Sequence, residues 1–207
     1  MKPFIHVGGR AIGPGQPAYI VAELSANHGG SLEQACEVAR AAKAAGADAL
    51  KVQTYTPDTI TIQSDAPEFR IQGNTLWDGR TLYDLYAEAC LPWEWQAPLQ
   101  ALAAELGLDF FSTPFDATAV EALERLNVPA YKVASFELVD LPLLRAIART
   151  RKPVILSTGM ASLPEIEEAV DALQTAGATE IALLKCTSAY PAPPEEMNLR
   201  TIPDLAG

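Results

Sequence analysis

The feature that most constrains the fold is a regular alternation of short apolar runs with amphipathic stretches along the 207 residues. The apolar runs are rich in β-branched residues and predict buried strands, whereas the stretches between them carry apolar residues at helical spacing. The predicted strands are 18–24, 49–55, 109–115, 130–136, 153–159 and 181–188. The predicted helices are 31–45, 93–106, 117–126, 141–150 and 164–176. Such alternation predicts right-handed crossovers and a parallel sheet.

The spacing of the repeats, roughly 25 to 30 residues, is typical of a (β/α)8 barrel. We therefore expect an α/β fold of the TIM-barrel class, incomplete at about six βα units. Residues 1–17 contain Gly-Gly and Gly-Pro-Gly turns and predict a short hairpin cap, and residues 18–207 predict the partial barrel. An open doubly wound sheet is the alternative, weakened because no G-x-G-x-x-G follows the first strand and no P-loop occurs.

Charge and cysteine content exclude several classes of function. Lys plus Arg total 15 against 26 Asp plus Glu, for a net charge of -11. So acidic a chain is a poor partner for nucleic acid or an anionic membrane. No apolar run approaches the ~20 residues that span a bilayer, and the first residues lack the apolar core of a signal peptide. Three widely spaced cysteines indicate reduced thiols, so we expect a cytoplasmic protein.

Two lysines inside apolar strands are the sharpest functional signal. Lys51 and Lys132 each lie in a run that should be buried on both faces. A buried lysine is costly unless it meets an anion or loses its proton. Converging with hydroxyls, the two would bind a multiply charged small anion, such as a phosphorylated carboxylate. The alternatives are a surface lysine, an ion pair with Glu23, or a Schiff-base lysine as in class I aldolases.

Other polar residues follow the same strands, where a barrel places its active site. Gln53 shares a face with Lys51, and Glu23 could act as acid, base or counter-ion. Asn27 and His28 follow the first strand and are possible loop contacts. The hydroxyls could bind substrate or merely satisfy turns. They are Ser112, Thr113, Ser135, Ser157, Thr158, Thr187 and Ser188.

The longest interruption runs from 56 to 92 and is rich in aromatic residues. A long loop at this end of a barrel can serve as a lid or a partner surface. Alternatively, Leu82, Leu85 and Tyr86 pack locally as a short amphipathic helix. We expect a mixture, with packed aromatics inside an ordered loop.

The ordered motifs resemble the sialic acid synthase family. They are AYIVAELSANHGG, ALKVQTY, FFSTPFD, YKVASFE, PVILSTGMA and LLKCTSAYP, and they extend from Ala18 to Pro191. The segment TLWDGRTLYDLYAEACLPWEW further resembles the pseudaminic acid synthase branch. The resemblance implies condensation of phosphoenolpyruvate with an N-acylated amino-sugar aldehyde, giving a nine-carbon 2-keto sugar acid and phosphate. It also implies a divalent ion, Mn²⁺ or Mg²⁺, and a homodimer.

The resemblance implies roles for particular residues. Lys51, Thr113, Lys132, Ser135, Ser157 and Ser188 would bind the phosphate and carboxylate of phosphoenolpyruvate. Gln53, Glu137 and Tyr190 would contact the sugar, and Glu23 would lie beside the reacting carbons. Ser188 departs from the family pattern, in which some relatives carry Asn, and its reach is shorter.

The sequence also lacks parts that the resemblance implies. Family members continue into strands seven and eight, whose two histidines hold the metal, and into a C-terminal antifreeze-like domain. We therefore expect a truncated synthase, inactive alone, without metal ligands of its own and prone to associate through open sheet edges. The alternatives are an N-acetylneuraminate or legionaminate synthase, a class I aldolase, or a non-catalytic barrel fragment that binds small anions.

Overall fold

A computed structural model describes residues 3–72, 77–189 and 192–206. The chain divides into two compact units. One is continuous and spans Tyr19–Leu126, and the other combines Met1–Ala18 with Asn127–Gly207. Within the described residues, no helix is both long and apolar enough to cross a membrane.

The continuous unit contains three parallel strands in the order β3, β4, β5. Glu23 is in register with Lys51, and Gln53 with Thr113. Its elements are β3 (Val21–Glu23), α1 (Leu32–Ala44), β4 (Ala49–Thr54), α2 (Pro57–Ile60), α3 (Leu82–Ala89), α4 (Gln96–Glu105), β5 (Asp109–Pro114) and α5 (Ala117–Arg125), with 3-10 turns at Pro67–Phe69 and Trp93–Trp95. Fully buried side chains of the strands and helices form its core, among them Leu24, Leu50, Leu99, Phe111 and Leu123.

The second unit contains an antiparallel hairpin and three parallel strands in the order β6, β7, β8. Its elements are β1 (Ile5–Val7), β2 (Arg10–Ile12), β6 (Tyr131–Val133), α6 (Leu141–Arg149), β7 (Val154–Ser157), α7 (Leu163–Thr175), β8 (Ile181–Leu184) and α8 (Thr201–Ala206), with 3-10 turns at Phe136–Val139 and Pro194–Glu196. The predicted hairpin is confirmed. Its His6 amide donates to Glu180 Oε2 at 2.7 Å, and the two side chains form an ion-pair contact of 3.2 Å when the histidine is protonated. Glu180 directly precedes β8, so the hairpin is attached beside the amino end of that strand.

Helix ends follow local signals in the sequence. The Ser31 hydroxyl accepts the amide of Gln34 and begins α1, and Gly46 ends it with φ +93°. A glycine tolerates this left-handed backbone without the steric penalty that a Cβ brings. Ser162 and Glu165 form the predicted capping box of α7, in which the Ser162 amide donates to Glu165 Oε2 at 2.7 Å.

The long interruption between β4 and α4 is ordered where the structure describes it. The Tyr55 ring makes edge contacts with Tyr86 and Phe115, at centroid distances of 6.0 and 5.3 Å. The Trp93 indole donates to the Tyr55 carbonyl at 3.1 Å, and the Tyr83 hydroxyl donates to Asp58 at 3.0 Å. The expected mixture of packed aromatics and a short amphipathic helix is confirmed, because α3 carries Tyr86 into this cluster.

The predicted strands are longer than the observed ones at their carboxyl ends. The clearest case is the run 130–136, of which only Tyr131–Val133 is a strand, because Phe136–Val139 turns into a 3-10 helix. Glu137 lies in this turn and is itself half-buried. The prediction of βα repeats from a barrel is confirmed, with three parallel strands in each unit.

Candidate functional site

In the continuous unit, Lys51 and Glu23 form an ion pair. The Lys51 Nζ lies 3.3 Å from Glu23 Oε1, and the lysine side chain is 6% exposed against 57% for the glutamate. The register that sets Glu23 beside Lys51 makes this pairing a direct product of the β3–β4 alignment. The counter-ion role that the sequence left open for Glu23 is therefore realised. Its exposed carboxylate is also free to approach a ligand.

Gln53 and Thr113 share the face of Lys51. Gln53 follows Lys51 by two residues, and register pairs it with Thr113 on β5. Alternation along a strand sends residues two apart to the same face. Thr113 is buried and Gln53 is half-buried. One face of this three-stranded sheet thus carries the Lys51 ammonium, the Gln53 amide and the Thr113 hydroxyl near the strand ends.

Ser112 follows the structural alternative that the sequence left open for the hydroxyls. Its hydroxyl contacts Thr54 Oγ1 at 2.6 Å and donates to the Val52 carbonyl at 3.1 Å. Successive strand residues point to opposite faces, so Ser112 points toward α4 and Thr113 points away from it.

The loop after β3 holds Asn27 and His28, and both take part in its internal structure. His28 is buried, and its Nδ1 accepts the Gly30 amide at 3.1 Å. The ring proton is therefore on Nε2, which donates to the Ala89 carbonyl at 3.1 Å. The exposed Asn27 donates through Nδ2 to the Leu24 carbonyl at 3.0 Å. Their role as loop contacts to a substrate stays a prediction.

In the second unit, Lys132 is a buried donor. Its Nζ donates to Ser157 Oγ at 2.5 Å and to the Val133 carbonyl at 2.6 Å, and the residue is 7% exposed. Ser157 ends β7, the neighbour of β6, so strand pairing brings the two together. The Ser157 side chain is buried as well.

Ser135 and Ser188 converge on Gly159. A Cβ built on Gly159 would lie 2.5 Å from Ser188 Oγ, 2.8 Å from Ser135 Oγ and 3.2 Å from the Cys186 Cβ. Real Cβ atoms do not approach other atoms at the two shorter distances, so only glycine fits without displacement. The hydroxyls of Ser135 and Ser188 therefore lie close to the Gly159 backbone. We name Lys132, Ser135, Ser157, Gly159 and Ser188 the lysine–serine cluster.

Sequence reasoning missed Gly159. Its signal was the Ser-Thr-Gly that begins at the last residue of β7, where a glycine permits close approach of other groups to the backbone. Thr158, in contrast, faces the neighbouring strand, because both its amide and its hydroxyl donate to the Leu184 carbonyl at 3.1 and 3.0 Å.

Glu137 has a buried side-chain oxygen without a hydrogen-bond partner among the described residues of this unit. That oxygen is Oε2. Burial raises the pKa of the Glu137 carboxyl, the nearby Asp140 adds to the rise, and the Lys132 charge partly offsets it. An orphaned buried carboxyl oxygen is costly, more so when the carboxyl is ionised.

Replacing Glu137 with glutamine should stabilise the protein at neutral pH. The folded state holds the Glu137 proton more tightly than the unfolded state, because its pKa is raised. Stability from this group is therefore present at low pH and lost as the pH rises through the raised pKa. Urea unfolding should show E137Q more stable than wild type at pH 8. The gain should shrink toward zero below the ordinary carboxyl pKa of about 4. An equal gain at both pH values would contradict the assignment.

Tyr190 lies outside the described residues, so its contact with the sugar stays a prediction. Throughout residues 3–72, 77–189 and 192–206, no group of three or more His, Cys, Asp or Glu side chains could hold a metal ion. The described residues thus do not fit the divalent ion that the resemblance implies.

Comparison with known proteins identifies the family. A model described as the NeuB family matches residues 38–207. The chain belongs to the NeuB family.

Relatives of this NeuB-family chain carry synthase names. Pseudaminic acid synthase of Helicobacter pylori is 50% identical over 190 residues, 92% of this chain and 56% of that protein. N,N'-diacetyllegionaminic acid synthase of Legionella pneumophila is 35% identical over 198 residues, 94% of this chain and 55% of that protein. The chain spans about half the length of these curated relatives.

A solved structure supports the fold. The N-acetylneuraminic acid synthetase of Leptospira borgpetersenii, crystallised in complex with citrate, superposes with a TM-score of 0.84 at 31% identity. The match covers 98% of this chain and 65% of that chain. The fold class predicted from the alternation of strands and helices is therefore confirmed.

Proposed function

We propose that this chain is the phosphoenolpyruvate-binding part of a nonulosonate synthase. The reaction condenses phosphoenolpyruvate with an N-acylated amino sugar in its open-chain aldehyde form, giving a nine-carbon 2-keto sugar acid and phosphate. The single observation that carries the proposal is the lysine–serine cluster, in which a buried ammonium donates to the Ser157 hydroxyl and two further hydroxyls, of Ser135 and Ser188, lie against Gly159.

The chemistry of the cluster suits an acid group of phosphoenolpyruvate. Lys132 brings a positive charge into a buried position, where an anion gains more from the contact than it would in water. Ser135 and Ser188 bring hydroxyl donors over Gly159, where an oxygen can approach the backbone. Phosphate and carboxylate oxygens accept such hydrogen bonds, and the charge-assisted ones are the strongest.

The remaining assignments follow the family motifs and stay predictions. Lys51 and Thr113 would bind the same substrate, and Gln53, Glu137 and Tyr190 the sugar. Glu23 would lie by the reacting carbons, where its exposed carboxylate can leave Lys51 and take or give a proton. The raised pKa of the Glu137 carboxyl suits a group that hydrogen-bonds a sugar hydroxyl as donor or acceptor.

The proposed chemistry balances with one water. The enol carbon of phosphoenolpyruvate forms a bond to the aldehyde carbon, and the aldehyde oxygen takes a proton to become a hydroxyl. Water adds to C2 and releases a proton. The tetrahedral intermediate then breaks the bond between C2 and the bridging oxygen, the C2 hydroxyl gives its proton to the leaving phosphate, and the ketone forms.

Among nonulosonates we propose the pseudaminic branch. The supporting observation is the higher identity to a pseudaminic acid synthase, 50% against 35% for a legionaminic acid synthase. The substrate would then be a 2,4-diacetamido-2,4,6-trideoxy-altrose. A cytoplasmic homodimer using Mn²⁺ or Mg²⁺ completes the proposal, with metal ligands that the described residues do not provide. The cysteines are free thiols, as a reducing compartment would keep them.

The test uses a completed synthase, in which this chain is joined to the part of the Helicobacter pylori pseudaminic acid synthase that it does not cover. We expect phosphate release that requires both phosphoenolpyruvate and the diacetamido sugar. In ¹⁸O-labelled water the label should enter the keto acid and not the phosphate. Label in the phosphate would contradict C–O cleavage, and a pyruvate adduct trapped on Lys132 by borohydride would indicate an aldolase instead. If the completed synthase binds neither substrate, the proposal fails.

A further inference from the structure

A buried polar chain runs along the back of β4 and β5, on the face turned toward α4. Thr54 Oγ1 lies 3.3 Å from Gln96 Oε1 and 2.6 Å from Ser112 Oγ. Ser112 Oγ lies 3.1 Å from the Val52 carbonyl oxygen. Thr54 and Ser112 are 0% exposed and Gln96 is 1% exposed. None of the three belongs to the lysine–serine cluster.

The number of available protons determines which groups donate and which accept in this row of hydrogen bonds. Each hydroxyl has one proton to donate, and the Val52 carbonyl can only accept. If the Gln96 oxygen faced Thr54, that oxygen and the Val52 carbonyl would use both protons. The 2.6 Å contact between the hydroxyls would then have none. The Gln96 nitrogen would also stay buried without a partner among the described residues.

Turning the Gln96 amide over satisfies all three contacts. Its nitrogen then donates to Thr54, Thr54 donates to Ser112, and Ser112 donates to the Val52 carbonyl. The amide oxygen takes the orphaned position, and an acceptor tolerates such a position better than a donor does. The chain thus has one polarity, from the start of α4 to the backbone of β4.

The chain lies directly behind residues that the proposed function assigns to substrates. Thr54 follows Gln53, Ser112 precedes Thr113, and register pairs Gln53 with Thr113. Adjacent strand residues face opposite ways but share a peptide unit, so fixing Thr54 and Ser112 also fixes the backbone that carries Gln53 and Thr113.

We infer that Gln96, Thr54 and Ser112 form a hydrogen-bond relay that positions Gln53 and Thr113 from behind the sheet. These are positioning residues, because they act through others and touch no substrate. The kinetic part of the inference rests on the proposed function, whereas the direction of the relay does not. Small displacements of a binding group cost much activity, so loss of the relay should lower kcat/KM by about tenfold to 10²-fold.

The first experiment reads the relay by NMR in the 207-residue chain. Nuclear Overhauser effects should connect the Gln96 side-chain amide protons to the Thr54 methyl and β protons. In Thr54→Val, the Thr113 methyl and the Gln53 side-chain amide should change chemical shift, whereas Thr54→Ser should leave both near their wild-type positions. Amide protons of Gln96 directed away from Thr54, or unchanged shifts in Thr54→Val, would overturn the inference.

The second experiment measures kinetics in the completed synthase. Thr54→Val should lower kcat/KM at temperatures where the variant is fully folded, and Thr54→Ser should stay within about twofold of wild type. Thr150→Val is the matched control, because its hydroxyl donates to the Ile147 carbonyl at 2.7 Å at the end of α6. A loss in Thr54→Val that only follows the unfolded fraction would overturn the inference. A wild-type enzyme without activity would instead defeat the proposed function, and the NMR result would still decide the relay.

Discussion

Replacing Lys132 with methionine is expected to abolish phosphoenolpyruvate binding while leaving the protein folded. Methionine keeps the length of the side chain but removes the ammonium that donates to Ser157 Oγ and to the Val133 carbonyl. Removing one charged donor from a preorganised site costs about 10²–10³ in rate. We expect at least that loss in the completed synthase, and no calorimetric signal when phosphoenolpyruvate is titrated into the variant.

The stability of the Lys132 variant separates a binding role from a structural one. Removing this buried charge relieves its desolvation cost, but it also removes the hydrogen bonds to Ser157 and Val133 and the charge that favours an ionised Glu137. We therefore expect a variant that still unfolds cooperatively in urea. Lys43→Met is the matched control. Lys43, in α1, also donates to a backbone carbonyl, that of Gly107 at 3.0 Å, and Gly107 lies just before the amino end of β5, away from the proposed site. A Lys132 variant that is unstable yet binds normally would refute the assignment.

Replacing Gly159 with alanine is expected to close the lysine–serine cluster. The new Cβ would lie 2.5 Å from Ser188 Oγ and 2.8 Å from Ser135 Oγ, so both hydroxyls must move. Overpacking of this kind costs about 1–3 kcal/mol in the free energy of unfolding. We expect a larger relative effect on activity, a loss of more than about 10²-fold, because the displaced hydroxyls are the proposed donors.

A second substitution makes the Gly159 prediction specific. Ser188→Ala removes the oxygen at the shortest of these distances, so the double variant should recover part of the lost stability but none of the activity. Urea unfolding and phosphate release measure the two effects separately. Recovery of activity in the double variant would mean that Ser188 does not serve the substrate. An alanine at 159 without any cost would contradict the close packing itself.

Local signals predicted much of the fold. The N-cap at Ser31, the stop at Gly46 and the capping box of Ser162 and Glu165 depend on contacts within a few residues, and all three are observed. The strands were predicted too long because their apolar runs continue into turns. The 3-10 helix at Phe136–Val139 packs against α6 and α7, and periodicity does not encode such contacts.

The candidate site was predicted less completely than the fold. The buried positions of Lys51 and Lys132 follow from their apolar surroundings and are observed. The partners of these lysines depend on register, so the ion pair with Glu23 was one alternative among several. Gly159 was missed because its importance comes from Ser135 and Ser188, each distant in the sequence. The role of Ser112 was left open, and it depends on the Thr54 hydroxyl of the neighbouring strand, which is distant in the sequence.

The attachment of the hairpin to Glu180 also has a consequence for synthesis on the ribosome. The His6 and Glu180 contact joins residues 174 positions apart. At translation rates of roughly 5–20 residues per second, the hairpin waits on the order of 10–35 s for its partner to be made. The continuous unit Tyr19–Leu126 emerges complete in the meantime and can fold first. The hairpin leaves the ribosome first, but it can make its contact with Glu180 only after that residue has been synthesised.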